Sequence, residues 1–283
     1  MVISKIYGGL AGQMLQYAIG RHLSIKYNTH LLIDTYWYKK PGNPQFPRDF
    51  GLKRLNTQCI EIASYSWLWW QVRLSGRFNR FPGLPFKVIK EKDYSVFDPS
   101  MLELGANVLL DGYWNSYKYF EPVRSQLMKE FSPADLPDER NRECLNMIQS
   151  QNSVSIHFRR GDYALTSFHG ILSRDYYEAA IAKITAEISN PYLFIFSDEP
   201  KWVIENMRFS FPYKIVDFNK DEKNYWDIEL MKNCKHNIIA NSGFSWWAGW
   251  LNENPEKIVI APEKWINTDK TRIDNIPADW FLL

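Results

Sequence analysis

The apolar residues of this chain fall into short runs, and each run is followed by a polar or glycine-rich turn. Residues 2–7 form the first run and read as a strand. Gly8-Gly9-Leu10-Ala11-Gly12-Gln13 follows, and from Met14 to Tyr27 apolar residues recur at helical spacing, with Met14, Tyr17 and Ala18 on one face. His30–Asp34 reads as a second strand, which completes a Rossmann-like βα unit. A glycine turn between strand and helix brings backbone N–H groups close to a phosphate or a sugar, although tight strand–helix packing would use the same glycines.

The pattern then breaks. Pro41, Pro44 and Pro47 with Gly42 and Asn43 mark a loop. Residues 62–90 hold no acidic residue and carry Arg73, Arg77, Arg80, Lys87 and Lys90 beside Trp67, Leu68, Trp69 and Trp70. Such a basic aromatic stretch suits an anionic lipid surface or a large ligand; an insertion packed on its own domain would have the same composition. Asn107–Trp114 reads as a strand and Tyr119–Phe131 as a helix. Ser132-Pro133-Ala134-Asp135-Leu136-Pro137-Asp138 is the best linker in the chain, which places a domain of residues 1–140 before one of residues 141–283.

The second half alternates regularly. Val154–Phe158, Tyr192–Phe196, Tyr213–Phe218, His236–Ala240 and Lys257–Ala261 read as strands. Helices are expected over Ser173–Ser189, Lys201–Met207, Asp227–Cys234 and from Phe244 to Leu251. This order predicts a doubly wound parallel sheet. Strands of such a sheet present their carboxyl ends on one edge, where ligands bind. The first strand ends in His157-Phe158-Arg159-Arg160-Gly161-Asp162, the next in Ser197-Asp198, and a later one in Asn241-Ser242-Gly243-Phe244-Ser245, which also opens a helix. Taken alone, the arginines and Asp162 could be a surface ion pair. Convergence of the three strand ends instead places paired guanidinium forks beside a helix N-terminus, an arrangement suited to a diphosphate.

Composition narrows the chemistry. Hydrophobic residues make up 45% of the 283 and charged residues 23%, as in a packed globular protein. A net charge of +2 gives no reason to expect nucleic acid. The three cysteines, Cys59, Cys144 and Cys234, are too scattered for a zinc or disulfide framework and suit a reducing compartment. No secretory signal and no membrane-spanning apolar run is evident, so a cytoplasmic protein is expected, with peripheral membrane contact through residues 62–90. The sequence lacks GxxxxGK[ST], H-E-x-x-H and Gly-x-Ser-x-Gly. It also lacks Asp-x-Asp, which disfavours a metal clamp on a sugar nucleotide. Two α/β halves, the second with arginines for a diphosphate, suggest a metal-free glycosyltransferase with a cleft between its domains. The 12 tryptophans also suit a non-catalytic carbohydrate-binding protein, but that reading leaves Arg159 and Arg160 without a task.

His157-x-Arg159-Arg160-x-Asp162 resembles the HxRRxD motif of α1,2-, α1,6- and protein O-fucosyltransferases. The chain resembles the α1,2-fucosyltransferases further in Gly8-Gly9-Leu10 with Gln13, Gln16-Tyr17-Ala18, Gly112-Tyr113-Trp114, Phe196-Ser197-Asp198, Ala240-Asn241-Ser242 and Phe244-Ser245-Trp246-Trp247. Gly12 stands where that family usually has asparagine. The resemblance implies a GT-B-like fold, GDP-fucose as donor substrate with no cofactor or metal, inversion at the anomeric carbon, and transfer to O2 of a terminal β-galactose. It implies that Arg159 binds the β-phosphate, that His157 and Arg160 shape the pocket, and that Ser197 and Asp198 lie near the guanosine. Asn241, Ser242, Gly243, Phe244 and Ser245 would hold the diphosphate. Gly8, Gly9, Gly12 and Gln13 are assigned to the donor side, and Tyr113 and Trp114 to the acceptor. The acceptor hydroxyl must lose a proton, and Asp162 is the candidate base, with orientation of Arg160 as its alternative role.

Overall fold

The computed structural model describes residues 1–39, 48–75, 85–94, 96–165, 170–267 and 274–283. The prolines of the expected 41–47 loop, Arg77 and Arg80 lie outside them. The chain divides into two compact units, Met1–Ala134 and Asp135–Leu283.

In unit 1, β1 (Val2–Lys5) leads through the glycine turn into α1 (Leu10–Lys26), then β2 (Leu31–Asp34), α2 (Tyr36–Lys39), β3 (Ile60–Glu61), α3 (Trp67–Ser75), β4 (Lys87–Lys90), β5 (Val108–Asp111) and α4 (Arg124–Glu130). Among the described residues the sheet order is β3-β2-β1-β5-β4, with every pairing parallel. Gly20 sits mid-helix, where glycine costs about 1 kcal/mol. A Cβ there would come within 2.2 Å of Ser4 Oγ, so glycine lets α1 lie directly on β1. The helix expected over 119–131 is interrupted. Tyr117–Tyr119 and Glu121–Val123 are 3-10 turns, and α4 begins only at Arg124. Pro122, without an N–H, cannot carry an α-helix through this stretch.

In unit 2, α5 (Glu139–Ser150), β6 (Asn152–Phe158), α6 (Arg174–Glu187), β7 (Pro191–Ser197), α7 (Pro200–Asn206), β8 (Tyr213–Val216), α8 (Tyr225–Asn233), β9 (His236–Ile238), α9 (Gly243–Leu251), β10 (Val259–Ala261) and β11 (Phe281–Leu282) follow one another. The sheet order is β11-β10-β9-β6-β7-β8, again parallel throughout. Val154, Ile156 and Phe158 pack with Leu193, Ile195, Ile184 and Val203 into a buried cluster. Each such side chain is worth about 1.5–3 kcal/mol.

The unit boundary falls at 134/135, not at the 140/141 expected from composition. Ala134 donates its N–H to Arg54 O at 2.8 Å, and Leu55 bridges Pro133, which ties this stretch to unit 1. Asp135 accepts from Tyr225 Oη, and Asp138 caps α5 by accepting from Asn141 N at 3.0 Å. Residues 135–140 therefore belong to unit 2.

Candidate active site

The sheet of unit 2 changes direction at β6. The chain moves from β6 to β7 and β8 on one side, and to β9, β10 and β11 on the other. Such a switch point opens a crevice at the strand carboxyl ends. Register places Phe158 beside Ser197, and Ile156 beside Ile238. The HxRRxD loop is thus flanked by Asp198-Glu199 and by the turn into α9, as the sequence predicts.

Arg159 lies between two carboxylates. One terminal nitrogen bonds Asp162 Oδ1, and Nη1 is 2.9 Å from Asp198 Oδ2. Its Cζ also lies 5.1 Å from the Tyr163 ring centroid. Tyr163 in turn hydrogen-bonds Ser242. Arg160 is held differently. Its backbone N–H donates to Asp198 Oδ1 at 3.0 Å, its Nε to Glu199 Oε2 at 3.2 Å, and its Cζ is 3.5 Å from the Trp202 ring centroid. Gly161 makes this close packing feasible, because a Cβ there would meet Asp198 Oδ2 at 2.8 Å. Three carboxylates therefore surround the two arginines, and an incoming diphosphate must compete with Asp162 and Asp198 for the terminal nitrogens of Arg159.

Several predicted donor residues form the scaffold of this edge. His157 is buried, and its Nδ1 is 2.9 Å from Ser245 Oγ. Burial, and then the charge of Arg159, push its pKa down to about 3, so the ring stays neutral and adds no positive charge. Ser245 Oγ also accepts from Ala240 N at 3.2 Å. Asn241 Nδ2 donates to Gly170 O and Trp265 O, both at 3.3 Å, joining two loops. Ser242 is the N-cap of α9, accepting from Phe244 N at 3.3 Å. Gly243 and Phe244 open that helix, and the Phe244 ring lies 5.6 Å from His157. Ser197 Oγ accepts from Glu199 N at 3.0 Å and shapes the turn. Both Asp198 oxygens are engaged by the arginine loop. Burial raises the Asp198 pKa, which Arg159 partly offsets. Asp162 orients Arg159, not Arg160 as the sequence alternative had it, because the short turn Asp162–Leu165 folds its carboxylate back by three residues.

Unit 1 corrects the sequence at two residues. Trp114 is only 1% exposed and packs on Tyr119, so it has no face for an acceptor. The Gly112-Tyr113-Trp114 stretch is a turn gripped by Glu91, whose carboxylate accepts the N–H of Tyr113 and of Trp114, each at 2.7 Å. Gly112 is required there, since a Cβ would come within 2.4 Å of Glu91 Cβ. Gln13 is fully buried and its amide is spent inside the unit. Nε2 donates to Gly8 O and Asp49 O, and Oε1 accepts from Gly51 N and Leu52 N. It staples the 49–52 segment to the glycine turn and has nothing left for a donor. Tyr113, 42% exposed, does line that turn. Its hydroxyl would lie 3.3 Å from a Cβ on Gly8, and its ring 3.1 Å from one on Gly12, so glycine leaves room for the ring. Gly8 has φ +79°, a conformation that favours glycine. Gly9 is the residue preceding α1.

Sequence reasoning missed Tyr163, Glu199 and Trp202. Each lies one to four residues beyond a predicted site residue, Tyr163 and Glu199 in the turns that leave strand carboxyl ends and Trp202 in the first turn of α7, and that position was their only signal.

Two units, each an α/β layer on a parallel sheet, with guanidiniums at a switch point, define a GT-B-type fold. A point mutant of Arabidopsis thaliana FUT1, solved in complex with GDP, shares it: TM-score 0.50, 9% identity, covering 97% of this chain and 74% of that one. The family model of glycosyl transferase family 11 matches residues 84–282, and the chain belongs to this family. An Escherichia coli alpha-1,2-colitosyltransferase is 31% identical over 99% of this chain and 98% of its own length. Galactoside alpha-(1,2)-fucosyltransferase 2 of Mus musculus is 29% identical over 52% of this chain and 45% of its own length. The chain is a glycosyltransferase.

Proposed function

We propose that this enzyme transfers fucose from GDP-fucose to O2 of a terminal β-galactoside with inversion. The observation that carries the reading is the pair Arg159–Arg160 at the carboxyl end of β6, beside the N-terminus of α9. Cleavage of the sugar–phosphate bond develops charge on the departing diphosphate. Fixed guanidiniums offset that charge more strongly in the transition state than in the ground state. The arginines supply the positive charge, so a divalent metal is not required. The reacting sugar gains oxocarbenium character, as in glycoside hydrolysis. His157 remains neutral and holds the loop through Ser245. The likeness to a mouse galactoside fucosyltransferase and to a fold neighbour solved with GDP supports the donor and the acceptor.

A second donor has a specific observation in its favour. The nearly full-length bacterial relative is named for colitose, which is fucose without its 3-hydroxyl. A screen of GDP-sugars against β-galactosides, with the product linkage determined by NMR, separates the two. An α1,2-linked fucosyl product is expected. Turnover with GDP-colitose alone would replace the donor, and a linkage to another hydroxyl would replace the acceptor assignment.

We also propose that residues 62–90 of unit 1 touch an anionic membrane surface. Support comes from Tyr65, Trp67 and Trp70, which are 77%, 78% and 49% exposed, and from the exposed Lys87 and Lys90. Arg73 does not contribute as the sequence suggests: it is paired with the buried Asp34 and lies over the Tyr36 ring. Among the described residues no helix is long and apolar enough to cross a membrane.

A further inference from the structure

The two arginines of the motif are not equally free. Both terminal nitrogens of Arg159 already meet carboxylates. Arg160 is bound only through its backbone N–H and its Nε, and among the described residues neither of its Nη groups has a partner. The Arg160 Cζ lies 3.5 Å from the Trp202 ring centroid, a distance reached when the guanidinium lies flat on the indole. Trp202 itself is fixed, since it packs against the buried core cluster of unit 2 from the first turn of α7. Glu199, immediately before α7, holds the Nε edge. Stacking fixes the plane, and the Nε bond fixes rotation within the plane. Together they leave the Nη edge as a preset fork of the kind that pairs with phosphate oxygens.

We propose that Trp202, assisted by Glu199, is a positioning residue that presents the free Nη edge of Arg160 to the diphosphate of the nucleotide donor. The inference rests on the donor-site reading above. Without the indole, Arg160 would sample many rotamers, and ordering it would weaken binding.

The test is calorimetric titration of GDP, with guanosine as the phosphate-free control, into the full chain. Trp202→Leu keeps an apolar side chain on the core but loses the ring face. It should weaken GDP binding by about five- to ten-fold and leave guanosine unaffected. Trp202→Phe, which keeps a smaller ring, should fall between Trp202→Leu and wild type. The decisive comparison is made in an Arg160→Ala background, where Trp202→Leu should have no further effect. An equal loss in that background would make Trp202 a packing residue and overturn the proposal. So would unchanged GDP binding by Trp202→Leu where Arg160→Ala weakens it; either result leaves the donor site standing. A wild-type protein that does not bind GDP would instead overturn the donor reading and this inference with it.

Discussion

At the scale of single residues, the motif was legible and the roles of its members were not. His157, Arg159, Arg160 and Asp162 stand out in sequence because a buried strand seldom ends in such charge. Which carboxylate holds which arginine depends on side-chain direction, and only the fold gives that. Asp162 illustrates the difference. The sequence makes it a candidate base, whereas the structure turns its Oδ1 onto Arg159. Asp162→Asn should therefore lower kcat by about ten-fold through loss of orientation, with the acid limb of the pH–rate profile retained. A general base would behave otherwise: its removal costs about 10²–10⁴-fold and abolishes that limb. Steady-state kinetics across pH decides between the two. Trp114 shows the opposite error. An aromatic at a strand end suggests a sugar platform, but its positive φ of 60° turns it inward to the core.

At the scale of elements, most parallel strands were read within a few residues, because strands buried on both faces are apolar runs between polar turns; β4, Lys87-Val88-Ile89-Lys90, was hidden in the basic aromatic stretch. Helix α5, just after the expected linker, is not among the helices the sequence predicts. Its sequence is highly polar, and its signals are the Asp138 cap and a narrow buried face of Asn141, Cys144 and Ile148. β3 and β11, two residues each, carry no period at all. Gln13 belongs to this scale, since its amide ties α1 to the 49–52 segment. Gln13→Ala strands buried polar groups and should cost about 2–3 kcal/mol in urea unfolding, with GDP affinity unchanged. A stable variant with weakened GDP binding would return Gln13 to the donor site. On α8, Asp227 is half-buried and accepts from Asn219 Nδ2 at 2.9 Å. Burial, with Asp217 adding, pushes its pKa up to about 8 from 3.8. The folded state therefore holds this proton more tightly than the unfolded chain. Stability should fall as pH rises from about 4 to about 8. Asp227→Asn should flatten that decline, giving a higher Tm than wild type at pH 8 and little difference at pH 4. Parallel Tm–pH curves for the two proteins would contradict it.

At the scale of the molecule, composition located the junction to within six residues but could not show which side residues 135–140 join. That is decided by Asp135 and Asp138, whose partners lie in unit 2. The membrane proposal also belongs here. Trp67→Ala with Trp70→Ala should weaken binding to anionic vesicles without lowering Tm. Arg73→Ala should do the reverse, because it strands the buried Asp34 at a cost of about 3 kcal/mol. Vesicle binding that follows Arg73 and ignores the tryptophans would refute this division. The central claim is that guanidinium forks, without a metal, stabilise a departing nucleoside diphosphate. Its most direct measurement is the initial rate of GDP release from GDP-fucose with a β-galactoside acceptor in excess EDTA, for wild type and Arg159→Lys. Wild type should turn over undiminished, and the lysine variant, which keeps the charge but loses the fork, should fall by about 10²–10³-fold with its fold intact. A wild-type reaction stopped by EDTA and restored by Mn²⁺ or Mg²⁺, or a lysine variant retaining most of its rate, would contradict the account.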